Sequence, residues 1–207
     1  LAALQVGPVV GSFVASMALL AVPAVLLGAI SPLALQVALG PLSGGAGAGV
    51  AAGRVYSAST LGSLVGTFLP PLLLIPMFGA RATFGSLAVI LLLAPLAVMG
   101  ALLWPRLSKL ASPLPAVGLA GFVSLGMEVS VNRLLGPVFG DSNLVWAAVI
   151  AINMAALAIG YGLGGRLADW LPDRRSLAAL LAAAALMTGL APVLAKPALA
   201  VCTALAE

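Results

Sequence analysis

Long apolar stretches alternate with short polar or glycine-proline breaks along this chain, and their lengths predict membrane-crossing helices. The first covers roughly 8–29 and is expected to end before Ser31-Pro32. A short apolar piece, 33–42, and a glycine-rich run, 43–49, follow it. The second stretch is about 54–78, with a tight turn at Gly79-Ala80-Arg81. The third is about 83–104, closed by Trp104 and Pro105, and 105–115 is a polar linker. The fourth is 118–140, and Asp141-Ser142 turn the chain into the fifth, 143–164. A charged loop, 165–176, leads to the sixth, which starts near Leu177 and ends indistinctly around Pro192, Lys196 and Pro197. The predicted fold is all-α: a polytopic transmembrane helix bundle of about six spans.

Polar positions within these spans are not scattered. At about 100° per residue, Gly118, Gly121, Ser124, Glu128, Asn132 and Gly136 share one face of the fourth span. The second span aligns Tyr56, Ser59, Thr60, Ser63 and Thr67, beside a GxxxG step at Gly62 and Gly66. The fifth aligns Trp146, Asn153, Ala156, Gly160 and Gly164. Small and polar faces turn toward protein in a bilayer, so these three spans are expected to meet. Spans one, three and six are greasier and are expected at the periphery.

Glu128 is the residue that most needs explaining, because a carboxylate at membrane depth costs at least a few kcal/mol. Two readings stand. It is a structural carboxylate bonded to Asn132, one turn on, or it binds a ligand or couples a proton. Arg133 lies about 140° round the helix from Glu128, so it either snorkels to the interface or pairs with another helix. Asn153, near mid-membrane, also needs a hydrogen-bond partner.

Composition sharpens the picture. The 207 residues are 63% hydrophobic and 7% charged, where soluble domains average about 25% charged. Lys and Arg sit singly between apolar runs, so the net charge of +4 does not suggest nucleic acid. With no His and one Cys, Cys202, a His/Cys metal site or an internal disulfide is excluded. No nucleophile–base pair and no phosphate-cradling loop appear, so neither an enzyme site nor a cofactor is expected. If spans alternate, Arg54, Arg106, Lys109, Arg166, Arg174 and Arg175 share one side, and loop charge makes that side cytoplasmic. Residue 1 then lies outside. The chain starts at Leu1 and stops mid-pattern at Glu207, and further membrane helices, in the same chain or in partners, are expected beside it.

Two resemblances follow from these residues. The run Gly165-Arg166-Leu167-Ala168-Asp169-Trp170-Leu171-Pro172-Asp173-Arg174-Arg175 resembles the cytoplasmic signature loop of major facilitator transporters. It departs at Trp170, where a basic residue is usual, and at Pro172-Asp173, where glycine is usual. Residues 121–169 and 53–84 resemble the membrane region of spermidine synthase-like fused proteins, in reversed order. The resemblance implies that 1–104 closes one repeat and 116–207 opens another, joined by the 105–115 linker in a facilitator-like 6+6 arrangement. It places Glu128, Arg133 and the Tyr56–Thr67 stripe in the interior. The synthase domain itself has no counterpart in these residues. The expectation is a transporter-like module of a bacterial-type inner membrane, binding a small, polyamine-like cation at Glu128, Asn132, Arg133, Asn153, Tyr56, Ser63 and Thr67. The alternatives are an accessory or scaffold subunit, or the anchor of a separate synthase domain.

Overall fold

The computed structural model describes residues 6–39, 48–103 and 112–206. Those residues are helical almost throughout and contain no strand. Five helical stretches are long and apolar enough to cross a membrane. In chain order the helices are α1 (Val6–Leu39), α2 (Ala48–Leu69), α3 (Ile75–Leu103), α4 (Leu114–Phe139), α5 (Asn143–Trp170) and α6 (Arg174–Ala206). A π-helical turn, Pro70–Leu74, links α2 to α3. Pro70 and Pro71 cannot donate to the preceding turn, and a wider turn re-satisfies the freed carbonyls.

The apolar helical stretch Ala48–Gly100, across α2 and most of α3, spans 53 residues, about 80 Å at 1.5 Å per residue and far more than one crossing needs. It is broken at Gly79, whose backbone sits at φ 79, ψ 161. That conformation is open to glycine and hostile to other residues. The chain reverses there. Gly62 and Gly66 of α2, and Pro70 of the turn after it, lie against Gly118, Phe122 and Gly126 of α4, a parallel register. In α3, Leu87 lies at Gly126 while Ala94 and Val98 lie near Ala116, an antiparallel one. The turn expected at Gly79 is therefore present.

α4 is the central helix. It packs against α1, α2, α3 and α5, and its interior residues include Val123, Met127, Val131 and Leu135. α5 returns antiparallel to α4 after a turn at Gly140 (φ 84). Ser142 caps it by accepting from the Val145 N–H at 3.3 Å.

Three sequence expectations need correction. α1 does not end before Ser31-Pro32. It runs through Pro23 and Pro32, so 33–39 belongs to it and not to a separate piece. A proline cannot halt a helix cheaply where water is absent to take over the backbone groups. Nor is α1 peripheral. It packs on α2, α4, α5 and α6 and buries Leu19, Leu20, Ile30 and Leu33. Finally, the charged loop is short. α5 continues through Trp170 and α6 begins at Arg174, so Gly165, Arg166 and Asp169 are helical. The glycine run up to residue 47 and most of the linker, 104–111, lie outside the described residues.

Candidate functional site

Two polar features occupy the interior side of α4. The first is a cleft of about 350 Å³. Its floor is α1 and α4, which pack together, and its walls are α2 and α5. Ser31 of α1, Ser124 of α4 and Tyr161 of α5 line it, with Tyr56, Ser59, Thr60 and Ser63 of α2. Tyr56 and Tyr161 are 62% and 47% exposed, so the cleft opens outward between the walls. Seven hydroxyl-bearing side chains thus gather in one cleft of a largely aliphatic bundle.

Glycines bring the backbones close enough to shape this cleft. A Cβ at Gly62 would run into the Gly118 carbonyl, and one at Gly121 would meet the Ser59 carbonyl and, at 2.9 Å, the Ser63 hydroxyl. On the other wall, a Cβ at Gly160 would strike the Val25 carbonyl, and one at Gly164 would sit 2.6 Å from the Ala29 oxygen. The GxxxG step of α2 therefore seats on α4, and the glycine face of α5 seats on α1.

The second feature lies one turn deeper. Glu128 is 7% exposed, Ser124 3%, Asn132 2% and Asn153 0%. The Asn153 Nδ2 donates to Glu128 Oε2 across the α4–α5 hairpin. Asn132 Nδ2 donates instead to the Glu128 backbone carbonyl, at 3.3 Å. Ser124 Oγ, Asn132 Oδ1 and Asn153 Oδ1 are buried without a hydrogen-bond partner.

The predicted site residues thus divide into four groups. Glu128, Asn132 and Asn153 form the buried cluster. Tyr56 and Ser63 line the cleft. Thr67 lies beyond the cleft's lining, its hydroxyl donating to the Ser63 carbonyl at 2.9 Å. Arg133 is exposed, which fits the snorkelling reading and not a pair with Glu128. The expected meeting of α2, α4 and α5 is met in part. α2 and α5 each pack on α4, but Ser63 faces Gly121, two turns before Glu128, and the glycine face of α5 turns to α1. Glu128 is bordered by Ser124 and is not part of the cleft wall.

Sequence reasoning missed Ser31 and Tyr161. Tyr161 follows Gly160 and lies off the small-polar face predicted for α5, and Ser31 lies just past the predicted end of the first span. Arg166, Asp169 and Arg175 are exposed, and Arg174 is half-buried. Asp173 caps α6, accepting from the Ser176 N–H at 2.8 Å. Hydrogen bonds from Ser176, side chain and backbone, hold its carboxyl below the usual range. No known protein family, curated protein or solved structure matches the chain.

Proposed function

We propose that this chain is a transporter-like membrane module that binds a small, polyamine-like cation in the hydroxyl-lined cleft. The observation that carries this is the cleft itself: hydroxyl oxygens and two tyrosine rings gathered within an apolar bundle. Hydroxyl oxygens accept from ammonium N–H groups, and tyrosine faces attract cations by roughly 0.5–2 kcal/mol. Glu128 places a carboxyl group one turn behind Ser124. We take the reversal at Gly79 to divide the five membrane-length helical stretches into six spans, and read them as one half of a facilitator-like 6+6 arrangement. A second half would cover the open side between α2 and α5. The end carrying Arg54, Arg166, Arg174 and Arg175 is the cytoplasmic one in this reading.

Spermidine is the probe. In the purified protein it should raise the melting temperature, and the combined Ser59→Ala, Tyr161→Leu variant should lose that response while folding normally. A melting temperature indifferent to spermidine rejects the reading.

A further inference from the structure

Hydroxyl side chains inside this bundle commonly satisfy themselves on their own helix. Ser16, Thr67, Thr83, Ser130 and Thr188 each donate to the carbonyl four residues back, at 2.6–2.9 Å. Where no water is at hand, that bond spares a hydroxyl the cost of being unpaired. Ser124 departs from the pattern. It is 3% exposed, its Oγ has no hydrogen-bond partner, and it lines the cleft. Ser130, six residues on in the same helix, is fully buried and bonded back to Gly126. It lies outside the cleft's lining.

The lining carries a second fact: none of the described residues in it is charged. An amine held there meets no carboxylate in the wall, so ion pairing does not select it. Two means of recognition remain, and they read different things. The ring faces of Tyr56 and Tyr161 attract any cation, quaternary ammonium included. A hydroxyl oxygen needs an N–H to accept from. The two rings are exposed and stand in the open part of the cleft. Ser63 and Ser124 stand further in. The Ser63 hydroxyl lies 2.9 Å from where a Cβ on Gly121 would sit, and Ser124 follows Gly121 by about one turn of α4.

We infer that Ser124, with Ser63 one turn before it, makes the cleft selective for amines that carry N–H groups, primary and secondary ammonium, over quaternary ammonium. This rests on the cleft reading proposed above. A serine hydroxyl has one proton and two lone pairs. Ser124 can give its proton to the Ala120 carbonyl, as Ser130 does to Gly126, and still accept an ammonium N–H from the cleft. A fully methylated nitrogen brings no proton and leaves the hydroxyl without its partner. A site built on hydrogen bonds rejects an analogue that lacks them more strongly than an apolar pocket rejects an added methyl group.

The test titrates purified protein with two probes, spermidine and spermidine quaternised by methylation at every nitrogen, at fixed ionic strength. Wild type should bind spermidine about tenfold more tightly or better, the worth of a hydrogen bond to a charged donor. Ser124→Ala should weaken spermidine by about that factor and leave the quaternary analogue where it was. Ser63→Ala should act in the same direction, and it keeps the test open if the first variant does not fold. Ser130→Ala, outside the lining, should keep the wild-type ratio. Equal wild-type affinities for the two probes overturn the inference and leave the cleft to its tyrosines. A ratio that survives in both serine variants overturns it too. So does tighter binding of the quaternary analogue by Ser124→Ala, which would make the discrimination one of size. Binding of neither probe sinks the cleft reading, and this inference with it.

Discussion

Glu128 and Asn153 are 25 residues apart in sequence, and each answers the other's problem. The acid gains a donor, and the amide gains an acceptor, where lipid offers neither. Glu128→Ala should therefore cost about 1–3 kcal/mol, because it leaves the Asn153 amide buried and unpaired. Glu128→Gln keeps an acceptor of the same shape for the Asn153 amide and should melt close to wild type. Chemical or thermal denaturation in detergent compares the two; equal losses would show that the bond to Asn153 contributes nothing. Asp173 gives the residue scale a pH dependence. Its folded carboxyl titrates below the ordinary value of about 4. Its contribution is then complete above that value and is lost as pH falls through the folded one. Asp173→Asn should flatten that acid limb while leaving neutral stability within about 1 kcal/mol, Asn also being a good cap. An acid limb identical to wild type would remove Asp173 as its source.

At the scale of elements, close backbone approach dominates. α2 meets α4 at Gly62 and Gly66, and α5 meets α1 at Gly160 and Gly164. Small residues drive association in lipid because apolar contact alone distinguishes poorly between helix and hydrocarbon. Gly62→Ala should destabilise by about 1–3 kcal/mol or more, since the new methyl group confronts a backbone carbonyl that cannot rotate away. Gly53→Ala, with open space around it, is the matched control and should be neutral. Similar melts for both variants would contradict this packing. The 3.6-residue period exposed these faces in the sequence, and the polar face of α4 did turn inward. Period does not say which neighbour receives a face. The α5 glycines went to α1, because α1 itself offers Gly28, where an added Cβ would lie 2.7 Å from the Leu157 carbonyl oxygen.

At the scale of the molecule, helix directions alternate. α1, α3 and α5 run one way and α2, α4 and α6 the other, as the paired registers require. Arg54, Arg166, Arg174 and Arg175 thus gather toward one end of the bundle, and Arg81 and Arg133 toward the other. In a variant with Cys202 replaced by Ala, a cysteine at Arg174 and one at Asp141 should react from opposite sides of the membrane. Under the proposed function the Arg174 side is the cytoplasmic one. Efficient labelling at position 174 by an impermeant reagent on intact cells would overturn that assignment.

Hydropathy and the 3.6-residue period, read along the sequence, determine that the chain is helical and apolar enough to cross a membrane, and the breaks in the apolar runs place turns at Gly79 and at Asp141-Ser142. Those properties depend on near neighbours in the chain: run length, side-chain transfer energy and a glycine at positive φ. The same period places Glu128, Asn132 and Ser124 on one buried face. Only the tertiary structure decided what meets that face. The partnership of Glu128 with Asn153, the opening of the cleft between α2 and α5, and the central place of α1 depend on register between helices far apart in sequence. Register follows from where backbones can approach, and that is a property of pairs of surfaces. No single helix carries it.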